Sequence, residues 1–219
     1  MEARKPDSRL TDLRIGGSLL FVAGLVVLMG IITAEALYPG TYSTRLNEIS
    51  DLGGTRQSGS IVPQPSAAIF DSSMIAIGLL VLAGAFFVHR VFRRREVTAA
   101  FAVMGVAAIG VGAFPEATGT PHVLSALVLF TSGGFAAILA GRLATGPFRY
   151  LSFLVGVLVL VAFAAYLLAG DLWPLSALGS GGMERWVAYP TIFWVIAFGG
   201  YLAGRADEIT DAPGCGKIG

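Results

Sequence analysis

The apolar positions of this chain fall in long, nearly uninterrupted blocks rather than at the spacing of an amphipathic helix or a half-buried strand. Six blocks run near Ile15–Leu37, Ala67–His89, Val97–Phe114, His122–Leu143, Tyr150–Gly170 and Val187–Ala203. A hydrocarbon core about 30 Å thick takes about 20 helical residues, so each block predicts a membrane-crossing helix. The third and sixth are the shortest, roughly 26 Å at 1.5 Å per residue, and span with slight bilayer thinning or with flanking residues snorkelling. A lipid-facing barrel does not fit, because the alternation its strands require is absent. The predicted fold class is all-α: a polytopic transmembrane helical bundle of six spans over residues 14–204, with tails at 1–13 and 205–219.

The polar residues between the blocks punctuate this scheme. Ser66, after Pro63 and Pro65, predicts an N-cap for the second helix. Thr120-Pro121 predicts a cap and first helical position for the fourth. Trp173 and Trp186 flank the last two spans, where amphipathic rings favour the interface. Gly133, Ala137 and Gly141 form one row of small residues and Gly200 with Gly204 another, the kind of row that lets helices approach closely. The one sizeable connection, 38–66, begins with the turn Tyr38-Pro39-Gly40. Leu46, Ile49 and Leu52 then recur at near-helical spacing before Gly53-Gly54. That pattern predicts a short amphipathic helix, on the bilayer surface or capping the bundle, with Asn47, Glu48, Ser50 and Asp51 on its other positions. No internal repeat is visible.

Charge orients the bundle. Arg4, Lys5, Arg9 and Arg14 precede the first span; Arg90, Arg93, Arg94 and Arg95 join the second to the third. Arg142 and Arg149 join the fourth to the fifth, and Arg205 and Lys217 follow the sixth. The opposite connections hold Arg45, Arg56 and Arg185. By the positive-inside rule both termini are cytoplasmic and the 38–66 loop extracytoplasmic, in a multi-pass protein of the cell membrane. The basic start and Ala34-Glu35-Ala36 mimic a signal peptide, but the apolar stretch exceeds a signal core of about 7–15 residues, so the first helix is expected to be retained. Of the 219 residues 55% are hydrophobic and 13% charged, against about 25% charged in soluble domains, and mean hydropathy is +0.74. A net charge of +1 implies no nucleic-acid partner. The single cysteine, Cys215, excludes an intramolecular disulfide framework and cysteine-based metal sites.

The candidate chemistry gathers at the extracytoplasmic ends of the second to fourth helices. Asp71 lies about five residues into the second helix, roughly 7 Å below its start. Ionisable groups at membrane depth usually face the bundle interior or a water-filled cavity, although an acid near a helix N-terminus is also favoured by the dipole. Phe114-Pro115-Glu116 and Pro121-His122 bring a carboxylate and an imidazole to the same rim, with Ser125 one turn below. Asp71, Glu116 and His122 are therefore the candidates for acid–base work, and Glu48, Ser50, Asp51 and Ser125 for ligand binding. A metal at Glu116 and His122 would need a third ligand such as Glu48 or Asp51, and no spacing matches a zinc motif. A plain structural role for the same residues stands beside each of these readings. His89 belongs to the basic run, which topogenesis or anionic headgroups explain equally. The residues name no cofactor, no oligomeric state and no reaction.

These stretches resemble the prokaryotic membrane proteins grouped as the domain of unknown function 998 family. The matching elements are Tyr38-Pro39-Gly40, Asn47-Glu48-Ile49-Ser50-Asp51-Leu52-Gly53, Pro65-Ser66-Ala67-Ala68-Ile69-Phe70-Asp71, and Val111-Gly112-Ala113-Phe114-Pro115-Glu116 followed by His122. The resemblance covers nearly the whole chain and implies a six-helix fold without an established activity. A more remote likeness is to the eukaryotic Frag/Dram/Sfk membrane proteins, which carry a similar Ile-Ser-Asp-x-Gly stretch and include autophagy modulators and a GPI-anchor lipid remodelling factor. Here Gly54–Val62 lengthens the loop. What the likeness implies is that the polar cluster meets lipid.

Three functions compete: binding or modification of envelope lipids, a non-catalytic sensor or scaffold, and a small transporter. The helix centres lack Asp, Glu, Lys, Arg and His, which argues against a charged relay. No P-loop, Rossmann fingerprint, nucleophile elbow or haem motif occurs.

Overall fold

The computed structural model describes residues 6–55, 61–170 and 172–211. Arg4, Lys5, Arg56, Cys215 and Lys217, used above for topology and redox inference, lie outside the described residues. Six helices are long and apolar enough to cross a membrane. They are α1 (Pro6–Ala36), α2 (Ser66–Phe92), α3 (Arg95–Ala113), α4 (Thr120–Ala140), α5 (Pro147–Ala169) and α6 (Gly179–Asp211). All six expected spans are present. The difference that matters most is α6, which begins eight residues before the expected Val187 and so carries Glu184 and Arg185 inside the helix rather than in a connection.

Consecutive helices pack side by side, and α6 returns to α1, closing a ring. One end of the ring carries the 37–65 loop, hereafter the loop end. The other, the basic end, carries the Arg90–Arg95 run. Two halves of the interior differ. Toward the basic end it is filled by rings: Phe101 stacks on Trp194 and Phe198 at 5.9 Å each, and Trp194 on Phe198 at 5.1 Å. The Trp194 indole N–H donates to Ser152 Oγ at 3.0 Å, so this buried donor is satisfied.

Lipid tails are as apolar as leucine, so helix association in a bilayer depends on close packing. Three of the ring's interfaces achieve it with facing glycines. A Cβ on Gly17 of α1 would stand 2.6 Å from the Gly199 carbonyl oxygen of α6. Gly78 and Gly105 meet in the same way between α2 and α3, and Gly134 and Gly156 between α4 and α5. Of the rows read from the sequence, Gly133 packs on Thr191 of α6 and Gly141 on the start of α5. The Gly200 and Gly204 row does not serve a tight contact, since Gly204 has open space beside it.

Both expected caps shift by one residue. Ser66 is the first helical residue of α2, and its buried hydroxyl donates across to the Leu52 carbonyl instead of capping. Gly119, in a positive-φ conformation, precedes α4, which starts at Thr120. At the basic end Arg90 pairs with the buried Asp12 of α1 at 3.3 Å. Thr98 gives its proton to the Arg94 carbonyl, so His89 Nδ1 is the donor to Thr98 Oγ1 at 2.8 Å and ties α2 to α3.

The glycine contacts carry a prediction. Gly17→Leu forces α1 from α6 and lowers stability by about 1–3 kcal/mol, whereas Gly204→Leu stays within about 0.5 kcal/mol of the parent. Thermal unfolding of both variants in one detergent measures the difference.

A buried polar head above an apolar cavity

The segment expected as a short amphipathic helix over 46–52 is a single 3-10 turn, Ser50–Leu52, preceded by a turn at 44–46. It caps the bundle. Ile49 and Leu52 are buried among Val27, Ile31, Phe70 and Met74, while Leu46 is 62% exposed. Side chains of the loop itself explain why no longer helix forms. Asn47 Oδ1 accepts from the Ser43 amide at 3.0 Å. Asp51 Oδ2 accepts from the Glu48 amide at 3.0 Å and from Asn47 Nδ2 at 3.1 Å. Such local bonds offer the backbone an alternative to helix.

α6 holds this loop. Arg185 is 9% exposed, and its Nη1 donates to the carbonyls of Thr44, Asn47 and Gly181 at 2.9–3.0 Å. Its Nη2 donates to Glu35 Oε1 at 2.5 Å and to the Tyr42 hydroxyl at 2.7 Å. Tyr42 in turn donates to the Glu48 carbonyl at 2.8 Å. Burial pushes the Tyr42 phenol above the usual tyrosine range, against the opposing pull of the Arg185 charge. The glycines at the start of α6 admit the loop backbone: the Gly181 amide donates to the Arg45 carbonyl at 3.1 Å, and Ser180 Oγ to the Leu46 carbonyl at 2.9 Å.

Three carboxyl groups close round the same turn. Glu184, 6% exposed, accepts from the Ile49 amide through Oε2. Glu116, 3% exposed, sits in the short turn between α3 and α4 and accepts from Ser50 Oγ at 2.8 Å. Glu48 accepts from the Tyr166 hydroxyl of α5 at 2.7 Å. Glu184 feels the charges of both Glu48 and Glu116. His122, also buried, must donate through Nδ1 to the Phe114 carbonyl at 2.7 Å, because a carbonyl only accepts.

Below this polar head lies an apolar cavity of about 90 Å³. Ser50, His122 and Glu184 line its top, and Ala108, Leu129 and Val195 its walls and floor. Five of the six helices contribute to it; α5 does not. From Glu184 to Val195 along α6 it runs roughly 16 Å, about half the thickness of a hydrocarbon core.

The expected site residues therefore separate into groups. Ser50 and His122 are brought to the cavity's head, and Glu116 stands behind Ser50. Glu48 and Asp51 stand in the loop above, committed to Tyr166 and to loop amides. Asp71 packs against Gly53, whose Cβ would meet its Oδ1 at 2.6 Å, and that oxygen is buried without a hydrogen-bond partner among the described residues. It does not line the cavity. Ser125 lies elsewhere: its hydroxyl donates to the Pro121 carbonyl at 2.8 Å and packs on Gly110 of α3, beside an outward groove. The third metal ligand considered for Glu116 and His122 is not supplied, and among the described residues no group of three potential metal-ligating side chains forms. Glu184, Arg185, Glu35 and Tyr166 were missed from the sequence. The available signal was an acid in the last turn of one span and an arginine just before another.

The chain belongs to the family described as protein of unknown function (DUF998), whose model matches residues 21–201. Comparison with curated proteins and with solved structures gives no match.

Breaking a buried, hydrogen-bonded ion pair costs about 3–5 kcal/mol because the remaining charge is stranded. Arg185→Met is expected to lower stability by about that amount, and adding Glu35→Leu to recover part of it. Thermal unfolding of the single and double variants tests this; equal stability of Arg185→Met and the parent would remove the clamp from the account.

Proposed function

We propose that this DUF998 member is a multi-pass protein of the cell membrane that binds a membrane amphiphile, with an apolar chain in the central cavity and a polar group against Ser50, His122 and Glu184. The observation that carries the reading is the cavity itself: mostly apolar along its length, polar at one end, and bounded by five of the six helices. That is the shape of a lipid-type ligand, for which sites are mostly apolar with a few placed polar groups. Asp71 supports the loop through Gly53 from outside the cavity. Transport is a poorer reading, because the stacked Phe101, Trp194 and Phe198 fill the basic half without a polar path.

The test is co-purification. Protein isolated in detergent should release a stoichiometric lipid to extraction and mass spectrometry. Ala188→Phe, one turn below Glu184 and lining the cavity, should cut the yield by about tenfold, a loss of about 1.4 kcal/mol in binding. The exposed Ala68→Phe should not. A lipid yield unaffected by Ala188→Phe would reject the cavity as its site.

Orientation belongs to the same proposal, with the loop end extracytoplasmic and both termini cytoplasmic, as the arginine distribution favours. Cys215, the chain's single thiol, is a native probe. A membrane-impermeant thiol reagent should leave it unlabelled in intact cells and label it after permeabilisation; labelling in intact cells would invert the topology.

A further inference from the structure

The polar groups lining the cavity share a property that narrows the ligand. Ser50 lines the cavity and has committed its hydroxyl proton to Glu116 Oε2 at 2.8 Å, so toward a ligand it can only accept. Thr191, lower on α6, has committed its proton to the Val187 carbonyl at 3.2 Å. Glu184 accepts the Ile49 amide through one oxygen, and as a carboxylate it keeps its second oxygen as an acceptor. His122 has committed its Nδ1–H to the Phe114 carbonyl. The nearest strong cation, Arg185, is engaged by Glu35, Tyr42 and three carbonyls. Glu48 and Glu116 add two further acids behind this head.

With Glu184 ionised, a site built this way offers acceptors and acidic groups, and the donors of Ser50, Thr191 and His122 Nδ1 are turned into the protein. We infer that the amphiphile carries a hydrogen-bond-donating head group without negative charge, a hydroxyl or an ammonium, and that a phosphate or carboxylate head is excluded. An anionic head would meet acidic neighbours in a medium of low dielectric, where like charges repel strongly and unpaired buried charge is costly. A hydroxyl or ammonium would instead complete the acceptor capacity of Ser50 and Glu184. This inference rests on the lipid-binding reading above and adds the chemical class of its ligand.

The experiment uses the full chain in an uncharged detergent with three probes of one chain length, octanol, octylamine and octyl phosphate, at matched concentrations below micelle formation. Octanol or octylamine should raise the unfolding temperature by about 3–8 °C near saturation, and octyl phosphate by less than about 1 °C. Ala188→Phe should abolish the shift, which separates cavity binding from effects on the micelle. Glu184→Gln keeps an acceptor for the Ile49 amide but brings an N–H donor and removes the acid. It should weaken the octanol shift and let octyl phosphate bind. A parent protein stabilised as much by octyl phosphate as by the other two overturns the inference, as does an unchanged preference in Glu184→Gln. Should no probe raise the unfolding temperature while an Ala188-dependent lipid still co-purifies, the head-group assignment falls and the lipid reading stands. Absence of both removes the two together.

Discussion

The loop end depends on one buried guanidinium. Arg185 reaches from the first turns of α6 to the last turn of α1 through Glu35 and to the loop between α1 and α2 through Thr44, Asn47 and Tyr42. A planar group with five donors can satisfy several carbonyls and a carboxylate at once, which a lysine cannot. The carbonyls it takes belong to a backbone segment that forms little regular structure, and buried carbonyls without partners would be costly. Arg185 thereby fixes where the 48–52 turn sits. The Glu184 and Glu116 contacts, the placement of Ser50 and the roof of the cavity all follow from that position.

The membrane fold was legible because its signal is a property of whole blocks. Twenty apolar residues in a row have few alternatives, and every block became a helix. The short polar contacts were less legible. Arg185 counted as one of three sparse cations in a connection, because the apolar block begins after it. The structure instead extends α6 back over Gly179–Trp186, since the Arg45 and Asn47 carbonyls give that glycine-rich start hydrogen bonds and close packing. Glu35 looked like part of a cleavage-site mimic. Its partner stands 150 positions away, and no local pattern announces a contact of that span.

The loop shows the same division on a smaller scale. Leu46, Ile49 and Leu52 have helical spacing, yet spacing alone does not choose a helix when Asn47 and Asp51 can bond the nearby backbone. Of that apolar spacing, Ile49 and Leu52 are buried against the bundle and Leu46 is exposed. Ser50 and Glu116 are 66 positions apart, and residue type names both while no local pattern shows their direct bond. Ser125 was placed by counting one turn below His122, but a helix turn of about 3.6 residues carries it round to the α3 side. Depth along the helix marks Asp71 for a bundle-interior or cavity role, and its buried oxygen instead faces Gly53, outside the cavity.

The contrast between the two halves of the ring bears on what the protein does. Toward the basic end, aromatic residues fill the interior, with Phe101 and Phe198 fully buried. Toward the loop end, the same helices present Gly24, Ala108, Ala126 and Ala188, and a space of about 90 Å³ is left. An apolar void of that size costs about 2 kcal/mol at roughly 24 cal/mol per Å³. Larger side chains at one or two of those alanines would fill it. A bundle with stacked aromatics at one end and an unfilled space under a polar roof at the other is consistent with the proposed occupant from the surrounding bilayer. On that proposal the acids above would select among ligands, since any chain can enter an apolar void but few head groups suit a roof of carboxyl oxygens.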